Sequence, residues 1–285
     1  MTAPTESDGN SRVLVAIFIC ALLTHFAFAT YHWRMGYLAG HEFRQAQTAI
    51  VSYYIDKDNN FSPIYETPLL GKPWVSILLE VPIYEWSVVG LSRLTGLPHH
   101  ISARTISLTC FYLFLPAVYL LLRPIESSRA RRLFLLSGLL CCPVYILYSR
   151  AFLMESMELM CCAWFLFAFW RTMERRDWRW LPCAMLFGTG AALIKSATLA
   201  IWLLPAVSYT LWMVWQDYAA GKGWSRPLRS AGWALAAVAV PLAALQWWIC
   251  LTDPLKAAHR SAYIFTSKNR KRQRGDSLGE EAQSG

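Results

Sequence analysis

The sequence predicts an all-α, polytopic integral membrane protein of about seven transmembrane helices, with a large external loop carrying amphipathic helices. Three observations predict it. Hydrophobic residues make up 55% of the chain and charged residues 16%, with a mean hydropathy of +0.31, a balance too apolar for a water-soluble domain. The apolar residues gather in runs long enough to cross a bilayer, where helices can satisfy the backbone polar groups internally. Lys and Arg gather in the short links between runs and in the tail, which orients membrane helices and explains much of the formal charge of +9 without nucleic acid.

Residues 1–12 are polar and read as a cytoplasmic tail. Val13 to Trp33 supplies the roughly twenty residues of a first span. Ala27-Phe28-Ala29 also resembles a signal-peptidase site after a short apolar core, so cleavage is the competing reading. On either reading, residue 34 onward lies outside.

Between residues 34 and 104 no run is both long and free of charge, and this segment reads as one external loop. It opens on Gly40-His41-Glu42-Phe43-Arg44-Gln45-Ala46-Gln47-Thr48-Ala49, the densest grouping of acid, base and amides in the chain. Drawn as a helix, Phe43, Ala46, Ile50, Tyr53 and Tyr54 share one face, and His41, Arg44, Gln45, Thr48 and Ser52 the other. That pattern fits a helix at a surface, with Glu42 in the first turn where the helix dipole favours a carboxylate. A capped interfacial helix with a solvated Glu42 satisfies the same residues. Turn signals follow at Asp58-Asn59-Asn60, Ser62-Pro63 and Gly71-Lys72-Pro73, and then a second amphipathic stretch from Glu80 to Leu94. As a span, that stretch would carry Glu80, Glu85 and Arg93 into lipid and invert every later loop.

Ile106 to Leu122 is a clean apolar run, and Arg123, Arg129, Arg131 and Arg132 place the next link inside. Leu133 to Ser149 returns outward to Arg150, Glu155 and Glu158. Met157 to Trp170 then goes in towards Arg171, Arg175, Arg176 and Arg179. Leu181 to Trp215 is too long for one crossing and carries one charge, Lys195, near its middle, so it reads as a hairpin turning outside at Lys195-Ser196. A third basic link, with Lys222, Arg226 and Arg229, precedes the last span, Ala231 to Leu251. Residues 13–251 thus form the transmembrane domain, and 252–285 a tail whose end has the composition of disorder.

This topology brings Glu42, Glu155 and Lys195 to one membrane face. A partly desolvated carboxylate such as Glu42 can act as a general base. Glu155, with Glu158 one turn on, could hold a second substrate or a divalent cation, the one cofactor the pattern allows. Lys195 is costly in lipid unless it meets an anion, such as a phosphate, or snorkels to the surface. His99-His100 lacks partner acids and reads as a loop pair. The eight cysteines all lie in apolar runs without metal spacing and read as small core residues. No Walker loop, dinucleotide fingerprint, nucleophile elbow or HExxH helix is present.

The order of these features resembles the GT-C glycosyltransferases, most closely the dolichyl-phosphate-mannose protein mannosyltransferases and the lipid A aminoarabinose transferases. The family's Asp-Glu pair opening the first external helix is matched by His41-Glu42. Its Lys-Pro-Pro-aromatic-Trp segment is matched loosely by Glu80-Val81-Pro82-Ile83-Tyr84-Glu85-Trp86, with Lys72-Pro73 offering the missing cation. Its Ser-Arg-x-x-x-x-Asp ending is matched by Ser149-Arg150 to Glu155, and its Thr-Lys-Gly hairpin by Ile194-Lys195-Ser196. The resemblance covers about residues 13 to 250. It implies inverting transfer of a sugar from a polyprenyl-phosphate donor to a protein or glycolipid acceptor at the external face of the plasma (inner) membrane. Glu42 would be the base, with His41 in place of the first acid. Arg44, Gln45, Lys72, Arg150 and Lys195 would bind substrate, and Glu155 would orient the acceptor or a metal. Two other readings remain open from the sequence: a lipid-linked sugar transporter, whose expected inverted repeats are not seen, and a truncated non-catalytic remnant or assembly partner.

Overall fold

The computed structural model describes residues 8–35, 42–68, 80–221 and 225–258. Within these the chain is helical, with no strand: α1 (Asp8–Thr30), α2 (Glu42–Lys57), α3 (Ile83–Thr95), α4 (His99–Leu121), α5 (Arg129–Leu140), α6 (Pro143–Arg150), α7 (Glu155–Arg175), α8 (Leu181–Ala219) and α9 (Ser225–Ala258). Four helices are long and apolar enough to cross a membrane, namely α1, α4, α8 and α9. A fifth span arises if α5 and α6, bent by 72° at the break before Pro143, are counted as one. The all-helical membrane fold is as the sequence predicts, whereas the count of seven is not reached on this criterion. Two physical causes account for the difference. Helix α7 carries Glu155, Glu158 and Arg171, and it can do so because other helices enclose it: Phe165 and Phe169 are fully buried, and α7 packs on α4 and α8. Helix α8 is counted once although it folds back on itself.

That reversal follows from one ion pair. Arg176, just after α7 and just before α8, bonds to Asp217 near the end of α8. A straight helix of 39 residues would separate its ends by about 58 Å, so the two arms must turn back. The turn is at Lys195, whose backbone is extended (φ −164°, ψ 92°) between helical neighbours. The expected hairpin and its turning residue are therefore both present. The arms pack on α7 and α9, and the approach is close: a Cβ on Gly188 would lie 2.8 Å from Pro241 Cγ and 2.9 Å from Phe165 Cδ2.

Helix α1 is anchored at its carbonyl end by two arginines. Arg104, buried in the first half of α4, donates to the carbonyls of His32 and Trp33, and Arg150, closing α6, donates to those of Phe28 and Tyr31. This explains why α4 begins at His99 rather than at Ile106. The charge of Arg104, which closed the expected loop, is absorbed by the carbonyls of His32 and Trp33 just past the end of α1.

Helices α2 and α3 lie between α1 and α4. Helix α3 has 13 residues, too short to cross a bilayer; it ends at Gly96 in the left-handed region (φ 72°), whose N–H closes on the carbonyl of Ser92. Asp56 joins the two: Arg93 Nε donates to Oδ1 at 2.7 Å and His99 Nε2 lies 3.0 Å from Oδ2. The hydrogen bond from Arg93, aided by the charge of His99, holds Asp56 below the usual carboxylate range. In α2 the expected faces are present but point the other way from a soluble helix. The polar residues Gln45, Thr48 and Ser52 are buried, and Phe43 and Tyr53 are exposed. An apolar face can turn outward where its surroundings are lipid.

The topology has a direct measurement. Cysteines placed at Asn60 and Pro98, in a background lacking the native cysteines, are expected to react with an impermeant thiol reagent from outside, and those at Ser128 and Arg175 only after permeabilisation. Labelling of residue 98 from inside would overturn the loop assignment.

Candidate functional site

The site is built from three backbone features. The first is the short buried segment Ala151 to Met154 between α6 and α7, whose polar groups need partners away from water. Gln45 Oε1 accepts from the N–H of Phe152 at 3.2 Å. The Ser107 hydroxyl faces the carbonyls of Ala151 and Leu153 at 2.9 and 3.2 Å, and the Tyr84 hydroxyl lies 2.8 Å from Ser107 Oγ. The segment is thus pinned by α2, α3 and α4, and Glu155, the next residue, is placed with it.

The second feature is the break in α8. An interrupted helix leaves carbonyls before the break and N–H groups after it without intrahelical partners. The carbonyl of Leu193 takes the N–H of Val81 at 3.0 Å, which docks the segment before α3 onto the turn. Beyond the break, Ser196 and Ala197 begin the second arm, whose N-terminal end carries a partial positive charge.

The third feature is α2, which brings Arg44 over the same place. Arg44, Glu80, Glu155, Lys195 and Ser196 line one cavity of about 500 Å³, with Tyr148 and Trp248 in its wall. Lys195 Nζ is 3.2 Å from Glu155 Oε1, and an Arg44 guanidinium nitrogen is 4.0 Å from Glu80 Oε1. All four side chains are partly exposed, between 22% and 34%. The cavity therefore holds two cations and two carboxylates from segments spread between Arg44 and Lys195.

Of the predicted site residues, Arg44, Glu155 and Lys195 converge here. Gln45 is buried and spends its side-chain carbonyl on Phe152. Arg150 is occupied by the carbonyls ending α1 and does not line the cavity. Glu42 opens α2, exposed and outside the cavity lining, two residues before Arg44. His41 and Lys72 lie outside the described residues. Glu158 is buried, bonded through its side chain to Thr198 of the second arm, and its Oε1 has no hydrogen-bond partner. Among the described residues no third His, Cys, Asp or Glu joins Glu155 and Glu158 to hold a cation. All eight cysteines are free.

Two acids were not singled out from sequence. Glu80 stood in the stretch compared with Lys-Pro-Pro-aromatic-Trp, yet it is a cavity carboxylate facing Arg44. Glu85, five residues on in the first turn of α3, is 5% exposed, and its pKa rises from an ordinary 4.5 to about 8. Burial is the main cause; a backbone hydrogen bond at Glu85 itself and the charge of Arg44 oppose it, and the charges of Glu80 and Glu155 add to it. Its one legible signal was an acid inside an apolar stretch.

The sign of the pH effect follows. Below about pH 4.5 both folded and unfolded chains hold this proton; between about 4.5 and 8 only the folded chain does, so stability falls as pH rises through that window. Thermal melting in detergent from pH 5 to 8 is expected to show this decline, and Glu85→Gln to flatten it. An unchanged slope in the variant would assign the decline to another group.

Chemically, the cavity can take an anion against Lys195, Arg44 and the helix end while keeping carboxylates within reach of a second substrate. A family described as dolichyl-phosphate-mannose-protein mannosyltransferase has a model that matches residues 21–264. No curated protein and no solved structure matches the chain.

Proposed function

The chain belongs to the dolichyl-phosphate-mannose-protein mannosyltransferase family, membrane glycosyltransferases that use lipid-phosphate sugar donors, and from that membership we propose that it transfers a sugar from a polyprenyl-phosphate donor to an acceptor hydroxyl or amine at the external face of the plasma (inner) membrane. The observation that carries this reading is the convergence of Lys195 and Arg44 on one cavity at the turn of a membrane hairpin. The donor phosphate sits between these cations and the N-terminal end of the second arm. As leaving group it needs charge stabilisation and no covalent help from the protein.

The acceptor needs a base, and Glu42 takes that role by its match to the family's second acid. Its exposure at the start of α2 leaves it open to an acceptor arriving from water. The acceptor oxygen or nitrogen attacks the anomeric carbon from the side opposite the phosphate, the carbon–oxygen bond to phosphate breaks, the proton passes to Glu42, and the anomeric centre is inverted. Glu155 neutralises Lys195 until the donor arrives; the phosphate displaces it, and the freed carboxylate orients the acceptor. Lys72 offers the cation that Glu80 replaces in the family's Lys-Pro-Pro segment, for a further phosphate contact.

The test is release of polyprenyl phosphate from a purified chain given a polyprenyl-phosphate sugar and an acceptor-bearing membrane extract. Sugar transfer with inversion supports the reading. Donor binding without transfer under any acceptor would favour a non-catalytic partner. A second outcome separates the role of Glu155. Glu155→Gln is expected to tighten donor binding severalfold, since a competitor for Lys195 is gone, while lowering turnover about tenfold or more. Equal donor affinity would remove the competition from the mechanism.

A further inference from the structure

A second pocket, sharing no lining residue with the transfer site, lies between α1, α4 and α5. It is a groove of about 620 Å³ with an almost wholly apolar wall that includes Phe18, Leu22, Phe26, Tyr112, Tyr119 and Leu136. In a helical membrane protein such a groove faces lipid tails, and tails alone would fill it without selectivity. The first turn of α5 changes that.

That turn carries Arg129, Arg131 and Arg132 and no acid. The N-terminal end of a helix is the positive end of its dipole, so three arginines there repel it and one another. The bias of cations to one membrane face accounts for exposed arginines such as Arg129, and Arg131 lies 3.6 Å from Glu126. Neither explanation serves Arg132. It is 5% exposed, its Nε is buried without a hydrogen-bond partner, and its guanidinium carbon lies 4.3 Å from the centre of the Tyr119 ring, part of the groove wall. Its neighbours on the chain and one turn on, Leu133 and Leu136, also line the groove. A buried guanidinium at the edge of a membrane, among the described residues paired with a π face and no carboxylate, is a strong attractor for an anion.

We propose that this groove binds an anionic diacyl phospholipid, its acyl chains along Phe18, Leu22 and Leu136 and its phosphate at Arg132 and the first turn of α5. The apolar wall and the unneutralised arginine are complementary to the two ends of one molecule, and neither a soluble anion nor a neutral lipid matches both. Arg129 and Arg131, at the water-facing side of the same turn, add long-range attraction but no fixed contact. Arg104 and Arg150 hold the carbonyl end of α1, and the lipid would add a hold along its middle, from Phe18 to Phe26. The site is separate from the sugar-transfer cavity, so it stands or falls independently of the proposed reaction.

The experiment is native mass spectrometry and thermal-shift titration of the delipidated full chain in one detergent at fixed salt, with dioctanoyl-phosphatidylglycerol, dioctanoyl-phosphatidylcholine and glycerol phosphate as probes. Phosphatidylglycerol is expected to bind and raise the melting temperature, phosphatidylcholine to bind at least about tenfold more weakly, and glycerol phosphate not to compete at millimolar concentration. Arg132→Gln should lose at least about tenfold in phosphatidylglycerol affinity, Arg132→Lys less, and Arg129→Gln little. Leu22→Trp, which fills the groove and leaves the arginines intact, should lose binding of the same lipid, and it carries the test if Arg132→Gln does not fold. Equal affinity for the two lipids, competition by glycerol phosphate, or unchanged binding by both Arg132→Gln and Leu22→Trp would overturn the proposal.

Discussion

Glu42→Gln is expected to lower turnover about a thousandfold with the donor bound as tightly as before, since a positioned base contributes roughly 10²–10⁴ to such a rate and the amide removes proton acceptance alone. The expectation is sharp because Glu42 makes no part of the cavity wall, so the substitution leaves Arg44, Lys195 and the packed segment before Glu155 undisturbed. The measurement is turnover and donor affinity in the same preparation: kcat falls and the donor dissociation constant stays within about twofold. Full turnover in the variant would make Glu42 a helix-terminal residue and move the base to His41 or Glu155. Turnover separates those two: if Glu155 is the base, Glu155→Gln loses about a thousandfold rather than the roughly tenfold of an orienting residue, and if His41 is the base, His41→Gln shows that loss instead.

Lys195→Met is expected to weaken donor binding about 10- to 100-fold, the range of a charge-assisted hydrogen bond to an ionised oxygen. The hairpin should still insert, because methionine is an unbranched apolar side chain only one atom shorter and removes the charge. Glu155 is then left without its cation, so turnover falls too. Lys195→Arg restores the charge with a planar, forked donor and should recover part of the affinity. Equal carrier-lipid affinity for the unmodified chain and both variants would show that Lys195 serves only to end the first arm at the surface. Arg44→Met is the companion measurement: a weaker loss is expected, because Arg44 stands 4.0 Å from its carboxylate and is held less closely.

The fold class was legible because apolar run length and the placement of basic links report what each segment can border, lipid or water. The hairpin was legible for the same reason: too many apolar residues for one crossing, interrupted by one lysine. The topology put Glu42, Glu155 and Lys195 on one face, and the cavity takes Glu155 and Lys195 but, in place of Glu42, Arg44 two residues on in the same helix. Which partner each side chain takes was not legible. Arg150 reads as a free cation beside a family motif, and only the packed structure shows the end of α1 above it. Gln45 reads as a substrate-binding amide, yet it holds the backbone of Phe152. Glu85 reads as an acid on an external amphipathic helix, and its enclosure depends on α2 closing over it. Periodicity gives the direction of a face and says nothing of what lies against it. The count of seven spans is not reached by length and composition for a related reason: α7 is too charged to stand in lipid by itself, and its neighbours are what shelter it.

The turn at Lys195 also fixes a depth. The first arm of the hairpin, from Leu181 to Ile194, is about 21 Å long, against a hydrocarbon layer of about 30 Å. The second arm is longer, and the two are tied at their base by Arg176 and Asp217. This is hydrophobic mismatch within one hairpin, and it is met either by a bilayer that thins around the turn or by a cavity sunk beneath the headgroups. In the first case Lys195 would lie at the level of a polyprenyl carrier's phosphate, and in the second the phosphate would dip to meet it; in both the carrier would arrive by diffusing in the plane of the membrane, its tail never leaving the lipid.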